Sequence, residues 1–190
     1  MLKSSTICFF LLLALFGDVS LSRTSPTPPS SYTPVQAANQ RLYISREVRH
    51  ELLLLPHYSL FDWIEFEVRG DESVVLRGQV RGLTLRADAE AAVKRIEGVT
   101  GVVNQIENLP ESPSDDQIRR KVYRAIYAED GPLFHYAIEV VPAIHIIVKN
   151  GDVTLKGVVD TQSDSNFANL KARGVSQTFQ VKNDLIVQKR

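Results

Sequence analysis

Cysteine is nearly absent from this 190-residue chain, and the single Cys8 sits inside an apolar run near the amino terminus. A disulfide framework and a cysteine metal site are therefore excluded for the rest of the molecule. Charge of one sign is missing too. With 22 Lys+Arg against 22 Asp+Glu there is no global field to recruit nucleic acid, so recognition by charge has to be local. The four histidines, His50, His57, His135 and His145, are scattered without a pair at metal-ligand spacing. No Gly-rich phosphate loop and no nucleophile motif occurs. The carboxylate pairs Asp71-Glu72 and Asp115-Asp116 fall in a turn and at a helix start, where Asp offsets unpaired N–H groups and the positive end of the dipole. These absences predict a non-enzymatic chain with no metal, no cofactor and no small-molecule substrate.

Long hydrophobic runs are also lacking. Ile7 to Phe16 is apolar for ten residues, too short to span a bilayer comfortably. Lys3 precedes it and the small residues Ser20 and Ser22 follow, the pattern of a signal peptide over residues 1–22 cleaved after Ser22; an uncleaved anchor is the alternative. Residues 23–38 are rich in Pro, Ser and Thr without apolar period and are expected to form a disordered leader.

What is present is a repeat. Val74-Val75-Leu76-Arg77-Gly78-Gln79-Val80 is echoed by Val153-Thr154-Leu155-Lys156-Gly157-Val158-Val159, and the two glycines lie 79 residues apart (157 − 78). The same offset relates Ala89 to Ala168 and Val102-x-Asn104-x-Ile106 to Val181-x-Asn183-x-Leu185. The period-2 alternation of each copy reads as a half-buried strand. Gly78 and Gly157, in mid-strand, are expected where a helix or another strand approaches closely, with a functional backbone contact as the alternative. Two units of about 70 residues are near the size at which a lone domain is marginal, so the repeats are expected to pack on each other.

In the first unit, over 39–109, Ile44, Val48, Leu52 and Leu55 form a helical stripe ended by Pro56. Ile64, Phe66 and Val68 alternate as a strand, the Arg69–Ser73 turn leads into the repeated strand, and Thr84 is expected to cap a second helix closed by Gly98. A third strand starts at Val102. Residues 110–114 read as the linker. In the second unit, 115–190, Ser114 and Gln117 are expected to form a capping box for a helix with the stripe Ile118, Val122, Ala125 and Ile126. The Glu129–Tyr136 loop carries apolar residues that suggest a segment folded back on a surface. Asn150-Gly151 suits a type I′ hairpin, and Pro142 fits only the start or edge of the strand before it. His145 alternates out of that strand's apolar face, predicting a solvent-facing or locally hydrogen-bonded imidazole. Thr161 or Ser163 caps the next helix, with Phe167, Leu170 and Ala172 inward and about three residues fewer than its counterpart.

The fold class is thus α+β, two tandem αββαβ units, each a small mixed three-stranded sheet packed against two helices. Helix-strand-strand-helix-strand with the Gly-centred second strand and the Val-x-Asn-x-Leu/Ile closing strand resembles the BON domain family, found in bacterial osmotically induced periplasmic and nodulation-related proteins. The second unit fits it better, since the first has no Asn-Gly turn. The resemblance implies a non-enzymatic module exported to the periplasm or cell envelope, one that contacts phospholipid surfaces or envelope components and supports envelope integrity or stress tolerance. One surface suits such a partner. At 100° per residue, Arg120, Tyr123, Arg124 and Tyr127 share the face opposite the core stripe, rings for a headgroup layer and guanidinium forks for phosphate. An anionic phospholipid membrane is the expected partner. The alternatives are an envelope protein held on sheet edges and the Leu133-Phe134 loop, and tyrosines that merely pack on the first unit.

Overall fold

Thr33 opens the described chain by accepting the Gln36 amide while the Gln36 side chain accepts the Thr33 amide, and with Pro34 at the first helical position this box starts α1, Pro34–Leu53. The computed structural model describes residues 33–138 and 141–188, so the expected signal peptide and most of the expected leader lie outside it. The leader was expected to reach residue 38, yet the helix begins at Pro34. Apolar period shows only where the helix buries something, and its stripe of Ile44, Val48 and Leu52 starts nearly three turns later.

Strands β1 (Trp63–Val68) and β2 (Ser73–Val80) pair antiparallel, and β3 (Gly101–Asn108) adds parallel to β2 after α2 (Leu85–Lys94) has crossed over. The second unit repeats this with α3 (Pro113–Ile126), β4 (Ile144–Lys149), β5 (Asp152–Val159), α4 (Gln162–Arg173) and β6 (Gln180–Val187), in the order β4-β5-β6. Each mixed sheet buries one face under its own two helices. One core gathers Ile44, Val48, Val74, Leu76, Ala89 and Ile106; the other gathers Ile118, Val122, Ile146, Val153, Leu155 and Ala168. No helix among the described residues is long and apolar enough to cross a membrane.

The repeated asparagines do the same work in both copies. Asn104 donates to the Arg86 carbonyl and Asn183 to the Ser165 carbonyl, positions again 79 apart (165 − 86), while each Oδ1 accepts the amide two residues on. The closing strand is thereby tied to the helix lying over it. The Asn-Gly turn forms as expected, with φ of 53° at Asn150 and 84° at Gly151.

Several local expectations give way. Ser112, rather than Ser114, caps α3 by accepting the Asp115 amide, because Pro113 with its preset φ takes the first helical position and no capping box forms at Ser114. Asp115 is buried and caps the opposite hairpin instead, accepting the Asn150 and Gly151 amides at 2.9 Å. Thr84 is already in helical conformation and makes no capping bond. Leu170 is exposed, since α4 turns Ala168 and Ala172 inward, and α4 is 12 residues against 10 for α2, longer rather than shorter.

Candidate functional site

Helix α3 carries the basic face. Ile118, Val122 and Ile126 are buried, which forces Arg120, Tyr123 and Arg124 outward, and all three are exposed. Neither Arg120 nor Arg124 forms an ion pair among the described residues. The helix's other cations are engaged. Arg119, buried, donates to the Val148 carbonyl at 2.5 Å and pairs with Asp116 at 2.6 Å, and Lys121 donates to Gln177 at 2.6 Å. Burial pulls the Arg119 guanidinium below its ordinary range, against the pull of Asp116.

Tyr127 does not belong to that face. The helix ends at Ile126 and Tyr127 leaves it at φ −102°, ψ 37°, so the 100° projection no longer applies and the ring swings into the second unit's own core at 5% exposure. Its hydroxyl donates to the Ile144 carbonyl at 2.8 Å and accepts the Ile144 amide at 3.1 Å, satisfying a strand that starts late after Pro142. Tyr123 rests beside it with ring centroids 5.3 Å apart and planes tilted by 50°, and is 37% exposed. Sequence projection places these residues correctly while they are helical and fails at the first residue that is not.

A second cluster joins the units and was missed. Trp63, Glu65 and Glu107 stand on the outer face of the first sheet; His145, Lys149 and Lys156 stand on the outer face of the second. Lys156 pairs with Glu65 and Lys149 with Glu107, each at 2.6 Å, and Trp63 meets His145 edge to face at 4.9 Å. Along these pairs the two outer faces meet. The free edge of β4 is closed by the loop before β1, where Leu60 accepts the Ile146 amide at 2.8 Å and Asp62 accepts His145 Nδ1–H at 2.6 Å. His145 is therefore buried at 6% exposure and hydrogen-bonded across the repeat junction, not solvent-facing. The signal that could have found it is an imidazole within Ile144-His145-Ile146-Ile147, a strand apolar on both faces. The exposed ion pairs are worth about 0–1 kcal/mol each, so the buried imidazole, the Leu60 contact and the ring packing carry most of the junction.

The apolar loop after α3 folds back as expected, but inward: Leu133 is fully buried and Tyr136 nearly so, while Pro132 and Phe134 stay exposed. The Tyr136 hydroxyl donates to Asp164 at 3.0 Å and is pushed up to about 12 by burial. A protein contact built on Leu133 is thereby ruled out.

The family model for the BON domain matches residues 44–110 and again 114–189. Comparison with curated proteins gave no match. Among solved structures, the chain is similar to the C-terminal domain of CdsD, described as the structural protein of the Type III secretion system of Chlamydia trachomatis. The identity is 10%, the match covers 76% of this chain and 96% of that one, and the TM-score is 0.31. A second CdsD structure matches at 11% identity, 76% and 92% coverage and a TM-score of 0.30.

Proposed function

The chain belongs to the BON domain family, with two domains in tandem, and from that premise we propose that it is an exported binding module that docks on anionic phospholipid at the cell envelope. The family supports an envelope-associated, non-catalytic module; the lipid partner is our reading of the α3 face. What carries it is that Arg120 and Arg124 project together, one turn apart, with the exposed ring of Tyr123 at their side and, among the described residues, no carboxylate bound to either. Such a pair can take phosphate oxygens while the tyrosine beds in the headgroup layer. Tyr127 has no part in it, being committed to Ile144.

Near an anionic surface each basic residue contributes about 1 kcal/mol, so Arg120→Glu with Arg124→Glu should weaken binding to anionic vesicles by at least ~30-fold. Substitution at these exposed sites should change stability by less than about 0.5 kcal/mol. The check is co-sedimentation with anionic and zwitterionic vesicles at two salt concentrations. A parent that ignores lipid composition and is instead captured with an envelope protein would favour the scaffold reading, with the unpaired edges of β3 and β6 as the contact.

A further inference from the structure

Helix α1 has a second non-core face. Counted at 100° per residue, Val35, Leu42, Arg46, Arg49 and Leu53 fall within about 60° of one another, opposite the buried Ile44, Val48 and Leu52. The apolar members are exposed to an unusual degree, Val35 at 68%, Leu42 at 58% and Leu53 at 52%, and Leu54 adds 64% at the helix end. Leu42, Arg46, Arg49, His50 and Leu53 line one shallow groove along the helix. The helix's acids stand elsewhere. Glu47 and Glu51 lie on the flank towards α2, around a hollow shared with Arg95. Neither Arg46 nor Arg49 forms an ion pair or a side-chain hydrogen bond among the described residues.

Charge decides what can cover this face. A face-to-face second copy would bring Arg46 and Arg49 against their own equivalents with no carboxylate among the described residues of that face, a like-charge juxtaposition that costs binding. Leucines exposed along a helix between guanidinium groups without a partner among the described residues match a deformable apolar layer under a negative rim. We infer that α1 is a second membrane-facing element, its leucines entering the acyl boundary of an anionic leaflet while Arg46 and Arg49 stay with the phosphates. The inference rests on the lipid reading of α3 and adds to it the surface that supplies apolar insertion, which α3 lacks.

The test uses the exported chain with vesicles of phosphatidylglycerol and phosphatidylcholine, and compares three proteins: the parent, Leu42→Ser with Leu53→Ser, and Arg120→Glu with Arg124→Glu. Loss of two half-exposed leucines from an apolar layer should weaken binding at least ~10-fold. Because both side chains are outside the core, the melting temperature should hold. An environment-sensitive label on Leu42→Cys, in a Cys8→Ser background, should shift to the blue on anionic vesicles, which reads insertion without relying on a loss. Parent-like binding by the leucine variant, with an unshifted label, overturns the role of α1 whether or not the α3 variant is impaired. A parent that does not bind anionic vesicles overturns both readings. Equal binding to phosphatidylcholine alone overturns the part given to charge.

Discussion

Gly78 and Gly157 show how a single missing atom fixes a repeat. Both adopt φ near +125°, at 128° and 124°, in the middle of a strand, and a Cβ at either would fall inside contact distance of a main-chain oxygen, Trp63 at the first and Ala143 at the second. The expected close approach is there, and the approaching element is the chain entering the neighbouring strand. Because both obstacles belong to the Cβ itself, Gly157→Ala should be nearly as damaging as Gly157→Val, at about 2–4 kcal/mol, despite the better strand propensity of valine. For a chain of this size that lowers the melting temperature by about 5–15 °C. An alanine variant that melts with the parent would show that the strand reshapes freely at this point.

At the scale of elements, repetition makes the sequence readable. The strands with alternating residues, the inward alanines and the asparagine of each closing strand appear where the 79-residue offset puts them, because burial on one face imposes period 2 on a strand and period 3.6 on a helix. Asn183 illustrates a link that the pattern announces without explaining. Its amide holds Ser165 Oγ at 3.0 Å and the Ser165 carbonyl at 3.2 Å, and its Oδ1 takes the Leu185 amide. Asn183→Ala would leave the buried Ser165 and the Leu185 amide unmet, so urea unfolding should report a loss of about 1–3 kcal/mol; a loss below about 0.5 kcal/mol would mean that water replaces the amide. Helix ends were poorly legible for the same physical reason. Ser112, Thr84 and Tyr127 are decided by where the backbone leaves helical φ and ψ, and no periodicity records that. Of the α3 face, Arg120, Tyr123 and Arg124 were legible as helix positions and Tyr127 was not.

The two repeats are joined by a contact between their outer sheet faces, and this was the least legible part because it pairs residues of unrelated sequence. His145 lies where Tyr58, Trp63 and the Asp62 carbonyl converge, 5.8 Å from the first ring and 4.9 Å from the second. The charged groups nearby are already committed: Asp62 accepts the Ser59 hydroxyl and the Arg81 amide, and Lys156 pairs with Glu65. Burial pushes the imidazole below its ordinary value of 6.5, with the Asp62 carbonyl opposing that shift. A base whose folded value is depressed is neutral in the fold while the unfolded chain takes up a proton. The contribution of the neutral His145 to stability is therefore complete above pH 6.5 and falls as pH drops below it, before carboxylates such as Glu65, itself held below 4.5 by Lys156, begin to protonate. Melting temperature should decline from pH 7 to pH 5.5 in the parent, and the decline should flatten in His145→Gln. Trp63 is the chain's single tryptophan and touches the ring, so its fluorescence gives the site's own titration. A midpoint below 6.5 that vanishes in His145→Gln is expected. A midpoint at or above 6.5 would mean that the imidazole reaches water and that the units part more readily than this junction allows.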